Sequence, residues 1–319
     1  MPSLVSQPIF TDWKPQAALL WGQIPLLLRH ALADTGLFTD AALAGLIDGY
    51  PRDDYALVIP GKQNEPQHAR WTEGDIGEAT GAQVLEAIRN GFLWLNLRNL
   101  PKNDARFAAL ADRIRSEMEE RVGMKIDVFE MTLLITSPGA QTYYHCDVPG
   151  QSLWHIRGRK RVWLYPTTEA FMPAPLLEEV VMQAREEEIP FHDWYDDYAK
   201  VVDMEPGMMA HWPQYGPHRV TNLEGLNVSL TTEHWTGDLA RSYKVRYANG
   251  LLRRAGFTPK STATTGPGYH AKAALQSIWR RTRAARLHQW ARHIEFRLDP
   301  DHPGRVVEIE PYDLKPRAV

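Results

Sequence analysis

The sequence predicts a mainly β core, an antiparallel barrel or sandwich, set between helical segments. Two observations carry this. Residues 125–236 hold short alternating stretches rich in β-branched and aromatic residues, separated by turn signals and uninterrupted by long helices. On either side, apolar residues recur at helical spacing instead. The expected division is an N-terminal helical segment over 1–80, a core over 81–237 and a basic helical segment over 238–319 that caps the core or dimerises.

The elements follow in order. Residues 15–50 read as helices. The run "AALLWGQIPLLLRHALA" (17–33) is taken as buried helix with a kink or boundary at Pro25. In "FTDAALAGLIDGY", Thr39 or Asp40 suits an N-cap, and Leu43, Leu46 and Ile47 follow at helical spacing. Residues 82–90 and 103–121 read as helices too, the second stopping at Gly123. "KIDVFEMTLLITSPGAQTYYHCD" alternates about a Pro-Gly turn at 138–139, and "SLWHIRGRKRVWLYP" reads as two strands folded about Gly158. "EIPFHDWYDDYAK" (188–200) is an acidic, aromatic loop, either a lid or a packed insertion. "KVVDMEPGMMAHWPQYGPHRVTN" is strand, turn, strand, and "GLNVSLTTEHW" is a further strand whose inward face alternation alone leaves open. Residues 239–255 and 269–295 read as helices across a Gly/Pro/Thr-rich linker, and "RVVEIEPYDL" as a last strand.

Composition narrows the function classes. Cys146 is the single cysteine, so neither an intrachain disulfide nor a cysteine-based zinc cage can form. No segment reaches the ~18 apolar residues of a membrane span, and a cytoplasmic location is the expectation. Net charge is −3, but residues 1–237 carry 20 Lys+Arg against 32 Asp+Glu, while 238–319 carry 16 against 7. The basic tail is expected to dock on its own acidic body or on a second copy, rather than on nucleic acid. In "YHAKAALQSIWRRTRAARLHQWAR", Ala271, Leu275, Ile278 and Trp279 form one stripe and Arg280, Arg283 and Arg286 lie elsewhere, the pattern of a capping or homodimer helix.

The chemistry-bearing stretch is "TYYHCDVPGQSLWHIRGRKRVWLYP" (142–166). Residues i and i+2 of an extended chain share a face. His145 and Asp147 therefore point together and Cys146 points away. An imidazole and a carboxylate on one face supply two ligands to a divalent metal. His218 in "YGPHRV" is the expected third, with His211 in "MMAHWP" its rival. Two histidines and one carboxylate on one side of an octahedral ion form the facial triad of non-haem Fe(II) oxygenases, which leaves positions open for a cosubstrate and O₂.

The segment "LLITSPGAQTYYHCDVPGQSLWHIRGRKRVWLYP" resembles the metal-binding segment of JmjC-type, cupin-like 2-oxoglutarate/Fe(II) oxygenases. "EPGMMAHWPQYGPHRVTNLEGLNVSLTTEHW" is similar to that family's closing segment. The likeness spans residues 125–236, about a third of the chain. It implies a double-stranded β-helix (cupin/jelly-roll) barrel. It also implies His145, Asp147 and His218 as iron ligands, and Lys160 and Thr142 as partners of the distal carboxylate of 2-oxoglutarate. Many other 2-oxoglutarate enzymes place an Arg on the strand after the second His. "GLNVSLTTEHW" has neither Arg nor Lys, which leaves that role to Lys160. The chain departs from the family near the place held by Gln151 or Ser152, where Asn is frequent. It shows no histone-reading module, and Asp147 argues against halogenation.

The implied activity is a dioxygenase that hydroxylates a peptide or protein side chain or a small molecule, using Fe(II), 2-oxoglutarate and O₂. Two alternatives use the same barrel: a metal-containing cupin-type sensor or binding protein without turnover, and a metal-dependent isomerase or lyase. Neither needs Lys160.

Overall fold

A computed structural model describes residues 7–60, 71–183, 189–282 and 292–314. In chain order the helices are α1 (Gln16–Leu20), α2 (Asp40–Asp48), α3 (Gly81–Asn90), α4 (Leu100–Asn103), α5 (Ala105–Val122), α6 (Ala174–Val181), α7 (Gly237–Arg254) and α8 (Gly266–Arg280). The strands are β1 (Leu26–Arg29), β2 (Tyr55–Ile59), β3 (Thr72–Asp75), β4 (Trp94–Leu97), β5 (Val128–Thr136), β6 (Gln141–His145), β7 (Gly150–Leu164), β8 (Lys200–Met204), β9 (Met208–Trp212), β10 (His218–Trp235), β11 (Arg292–Leu298) and β12 (Val306–Leu314).

Side chains define several helix ends. Thr39 accepts from the Ala42 amide to start α2, and Thr80 with Gln83 closes a capping box at α3. Gly123, in the left-handed region at φ 74°, stops α5 where the sequence predicts. No described helix is long and apolar enough to cross a membrane.

The strands join one mixed sheet in the order β1-β9-β7-β10-β5-β4-β2-β3-β11-β12, with β6 added on β10 and β8 on β7. Among these pairings only β11 on β3 is parallel. β7 and β10 are long enough to pass through two neighbourhoods. The first half of β7 pairs with β9 and its second half with β8. The start of β10 pairs with β6 and its end with β5. One apolar cluster joins Leu153, Ala210 and Trp212 from the first neighbourhood to Val162, Leu164, Val202 and Met204 from the second. The two halves therefore face each other across it, and these residues mark the inner face. Helices α2, α3 and α5 cover the opposite face through Leu43, Val84, Leu110 and Ile114. A third cluster sets Leu177 of α6 and Leu251 of α7 against Tyr144 and Cys146.

Three sequence expectations are corrected. "SLWHIRGRKRVWLYP" is one strand rather than a hairpin. Gly158, at φ 81°, bulges β7 instead of reversing it, and the β7–β10 register breaks there and at Gly225, at φ 68°. The 17–33 run is helix only to Leu20; beyond Pro25 the chain pairs with β9 as β1. Of the 269–295 helix, α8 ends at Arg280 and Arg292–Leu298 is strand β11, because pairing on β3 overrides local propensity; residues 283–291 lie outside the described residues. "RVVEIEPYDL" is strand β12 as expected.

The basic C-terminal segment does meet the acidic body. Arg253 pairs with Glu178 at 2.7 Å, Arg292 with Glu73, and Tyr312 donates to Asp75 at 2.5 Å.

Candidate metal centre

His145 ends β6 and His218 starts β10, and the two residues are directly paired across the ladder. Asp147 follows two residues after β6. The turn Pro213–Gly216 brings the chain to His218, with Tyr215 held in the left-handed region at φ 63° and the Gly216 amide donating to the Pro213 carbonyl. One ligand atom from each of His145, Asp147 and His218 lies within 4.8 Å of the other two. The His145 Nε2 stands 3.9 Å from Asp147 Oδ1 and the His218 Nε2 3.4 Å from Oδ2. Cys146 points away into the outer cluster, as alternation requires.

Both rings are locked in one tautomer. His145 Nδ1 lies 2.8 Å from the Tyr143 carbonyl, and His218 Nδ1 lies 3.0 Å from the Gly216 carbonyl. A carbonyl only accepts, so each Nδ1 carries a proton and each Nε2 is the ring atom turned toward the other ligands. Burial, then the neighbouring His145, holds His218 well below its ordinary pKa, so it stays neutral. Burial raises the Asp147 carboxyl, opposed by His145. Asp147 Oδ2 is buried without a hydrogen bond. A buried carboxylate with one oxygen facing each imidazole is costly unless a cation sits among them. The donor set therefore fits a divalent metal.

Lys160 is 3% exposed and has no hydrogen bond or ion pair among the described residues. Burial pushes its pKa down from 10.5 to about 7. The Gly158 bulge explains its direction. Leu153 and His155 face inward before the bulge, and Lys160, Val162 and Leu164 face inward after it. Uninterrupted alternation from Leu153 would have turned Lys160 toward the helices. The flanking Arg159 and Arg161 point outward to Glu224 and Asp203. Thr142 reaches the inner face by a similar shift. The β6–β10 register changes after His218, which pairs Thr142 with Val220, two residues before the Asn222 that pairs with Lys160.

His211 is not part of the cluster. Its Nδ1 lies 2.8 Å from the Gln151 carbonyl, its Nε2 accepts from the Gly22 amide, and its ring stacks on Trp21 at 3.8 Å. It is a satisfied core histidine. The described part of the 188–200 loop is a packed insertion. Tyr195 is buried among Tyr144, Phe171 and Phe191, and Asp196 holds both the Tyr165 hydroxyl and Arg219.

On β10 the polar set faces inward. Ser229 bonds His155 and Thr231 pairs with Leu153, while Leu226, Val228 and Leu230 face the helices. Two residues near the metal cluster escaped sequence reasoning. The Trp212 ring lies 4.2 Å from that of His218. Glu233, on the inner face of β10, is pushed up to about 7 by burial, then by Asp147 and Glu130, with Arg98 opposing. The polar alternation of the last strand was the signal for Glu233; nothing marked Trp212 out from the other tryptophans.

Fold and site together define a mainly β protein with a two-histidine, one-carboxylate cluster on the inner face of its sheet. Among solved structures, the chain is similar to the ribosomal oxygenase YcfD of Escherichia coli. In complex with cobalt and 2-oxoglutarate, that protein matches with a TM-score of 0.49 at 16% identity, over 88% of this chain and 70% of YcfD. An X-ray structure of E. coli YcfD gives 0.48 at 15% identity over 86% and 70%, and the complex with cobalt and succinic acid 0.47 at 15% over 88% and 69%. No protein-family model matches the chain, and no curated protein sequence matches it.

Proposed function

We propose that the chain is an Fe(II)- and 2-oxoglutarate-dependent dioxygenase, a hydroxylase built on a double-stranded β-helix. The observation that carries this is the pairing of the His145–Asp147–His218 cluster with a buried, uncommitted Lys160 on the same inner face. A sensor, isomerase or lyase needs the first but not the second.

His145, Asp147 and His218 would hold the metal, with the rings fixed by the Tyr143 and Gly216 carbonyls. Lys160 and Thr142 take the far carboxylate of the cosubstrate. Asn222, the β10 partner of Lys160, lies four residues past His218, roughly 13 Å along the strand. A short dicarboxylate and the lysine stem together cover that span. Bound there, Fe(II) with 2-oxoglutarate and O₂ supplies coupled oxidation: one oxygen atom goes to succinate, with release of CO₂, and the other to a C–H bond of the substrate as hydroxyl. The protein contributes geometry and a dry wall, here Val162, Leu164, Met204 and Trp212.

The test is anaerobic titration of the metal-stripped protein with Fe(II), then 2-oxoglutarate, followed by the weak visible absorption of the chelate. The parent should develop the band, and Asp147→Ala and Lys160→Ala should not. A parent without band or 2-oxoglutarate affinity would leave a metal-binding protein without this chemistry.

A further inference from the structure

Asp147 stands outside the ladder that fixes its two partners. His145 and His218 are paired on β6 and β10, whereas the carboxylate is carried by the short connection between β6 and β7. A side chain from the other ligand loop holds that connection. Gln214 Nε2 donates to the Val148 carbonyl, one residue past Asp147, at 2.9 Å, and lies 3.4 Å from the Leu239 carbonyl in the first turn of α7. Gln214 is itself four residues before His218. One amide group therefore ties together the loop that carries Asp147, the turn that leads to His218 and the helix that follows the sheet.

The turn around Gln214 is strained. The Gly216 amide closes it on the Pro213 carbonyl, and its third residue takes φ 63°, a place that Gly or Asn normally fills. Here it is Tyr215, and a bulky side chain at positive φ persists only where its surroundings over-determine it. The surroundings are α7. The Tyr215 ring is buried in the cluster that holds Cys146, Tyr247 and Leu251. Its hydroxyl is buried near Ser242 and Arg246 of the same helix without completing a hydrogen bond. In addition, Leu239 packs so closely over Gly150, three residues past Asp147, that a Cβ there would lie 2.8 Å from its Cδ1. The helix is thus seated on both ligand loops.

Resting on the metal-binding part of the oxygenase reading, we infer that Gln214 is a positioning residue that sets Asp147 against His145 and His218, with Tyr215 anchoring its turn on α7. The helix is then part of the metal centre without offering a ligand. A carboxylate on a free loop samples many positions, of which few complete the three-ligand set, and binding has to order it. The bond from Gln214 to Val148 orders it beforehand. Tyr215 keeps Gln214 in reach of Val148, and the strain at its backbone is offset by its burial against α7.

The experiment titrates the full chain, stripped of metal, with Co(II) as a spectroscopic substitute for Fe(II). Calorimetry reads the affinity and the visible d–d bands read the ligand geometry. Gln214→Met, which keeps the length and loses both donors, should weaken Co(II) binding by roughly 10–100-fold and change the bands of the saturated protein. Tyr215→Gly, which relieves the backbone and removes the anchor, should act in the same direction. Tyr215→Phe, which loses only the unpartnered hydroxyl, should bind as the parent does. Thr80→Ala, which loses the capping box of α3 on the opposite face, separates positioning from stability: it should lower the urea midpoint and leave Co(II) affinity and bands unchanged. Parent-like affinity and bands in Gln214→Met, or an equal loss of affinity in Thr80→Ala, would overturn the inference, while the parent's chelate band with Fe(II) and 2-oxoglutarate leaves the oxygenase reading standing. A parent whose Co(II) affinity depends on Gln214 but which forms no chelate with 2-oxoglutarate would do the reverse.

Discussion

Lys160 is a side chain whose burial costs stability in the ligand-free protein and to which the proposed reading gives a function. In the folded chain, burial holds its pKa at about 7, against 10.5 for the free side chain. Between those values the unfolded chain binds more protons than the folded one, so stability of the ligand-free protein rises with pH across that window. Below it, the folded protein carries the full cost of a buried, unpaired ammonium. Lys160→Met should therefore raise stability at pH 6 by on the order of 1–3 kcal/mol in urea unfolding, with the gain vanishing toward pH 10. The same variant should lose 2-oxoglutarate affinity. Arg161→Ala, whose side chain reaches outward to Asp203, should stay within about 0.5 kcal/mol of the parent. The dicarboxylate favours the charged lysine, so its binding at pH 8 should take up a proton. Calorimetry in buffers of different ionisation heat measures that uptake, and its absence would mean that Lys160 does not face the cosubstrate.

At the scale of the element, the glycine bulges decide which residues face the site. Gly158 and Gly225 both occupy the left-handed region, but they differ in surroundings. A Cβ on Gly158 would lie 2.8 Å from the Leu226 carbonyl oxygen and 2.8 Å from the Asn227 side chain, whereas one on Gly225 would meet nothing within 4 Å. Gly158→Ala should cost about 1–3 kcal/mol and weaken 2-oxoglutarate binding, because Lys160 follows the bulge; Gly225→Ala should cost about 1 kcal/mol, from backbone strain alone. Urea unfolding with chelate titration of both variants checks this. The bulges also mark where sequence reading stops. His145 and Asp147 were legible because two residues of extended chain share a face, whatever surrounds them. The inward face of β10 was not, since alternation resets at Gly225. The continuity of β7 was lost because Gly158 reads equally as turn or bulge. β1 and β11 were missed because each is a strand only by virtue of the partner it pairs with.

For the molecule as a whole, β11 and β12 extend the sheet at the end remote from the His145–Asp147–His218 cluster. Phe296 of β11 lies so close over Gly74 that a Cβ there would fall 2.2 Å from its ring. Phe296→Ala should cost about 3–5 kcal/mol, while the chelate band of the folded fraction keeps its position, since β4 and β2 separate this contact from β5 and the site. A band that moved would show that the two ends of the sheet are coupled. The asymmetric charge read from the sequence is partly spent inside the chain, through Arg253 on Glu178 and Arg292 on Glu73.

β10 carries His218 at its start, Asn222 beside Lys160, and Glu233 near its end, and it pairs with β5, β6 and β7. It is also the last strand of the site to be synthesised. While a chain is still emerging, His145 and Asp147 exist as a two-ligand fragment, and β5, β6 and β7 await the strand that joins them. On the metal-binding reading proposed above, tight uptake therefore waits until residue 218 and the rest of β10 have left the ribosome. On that reading a chain stalled before that point lacks the third ligand and a closed inner layer, so the supply of metal would act only after β10 has emerged.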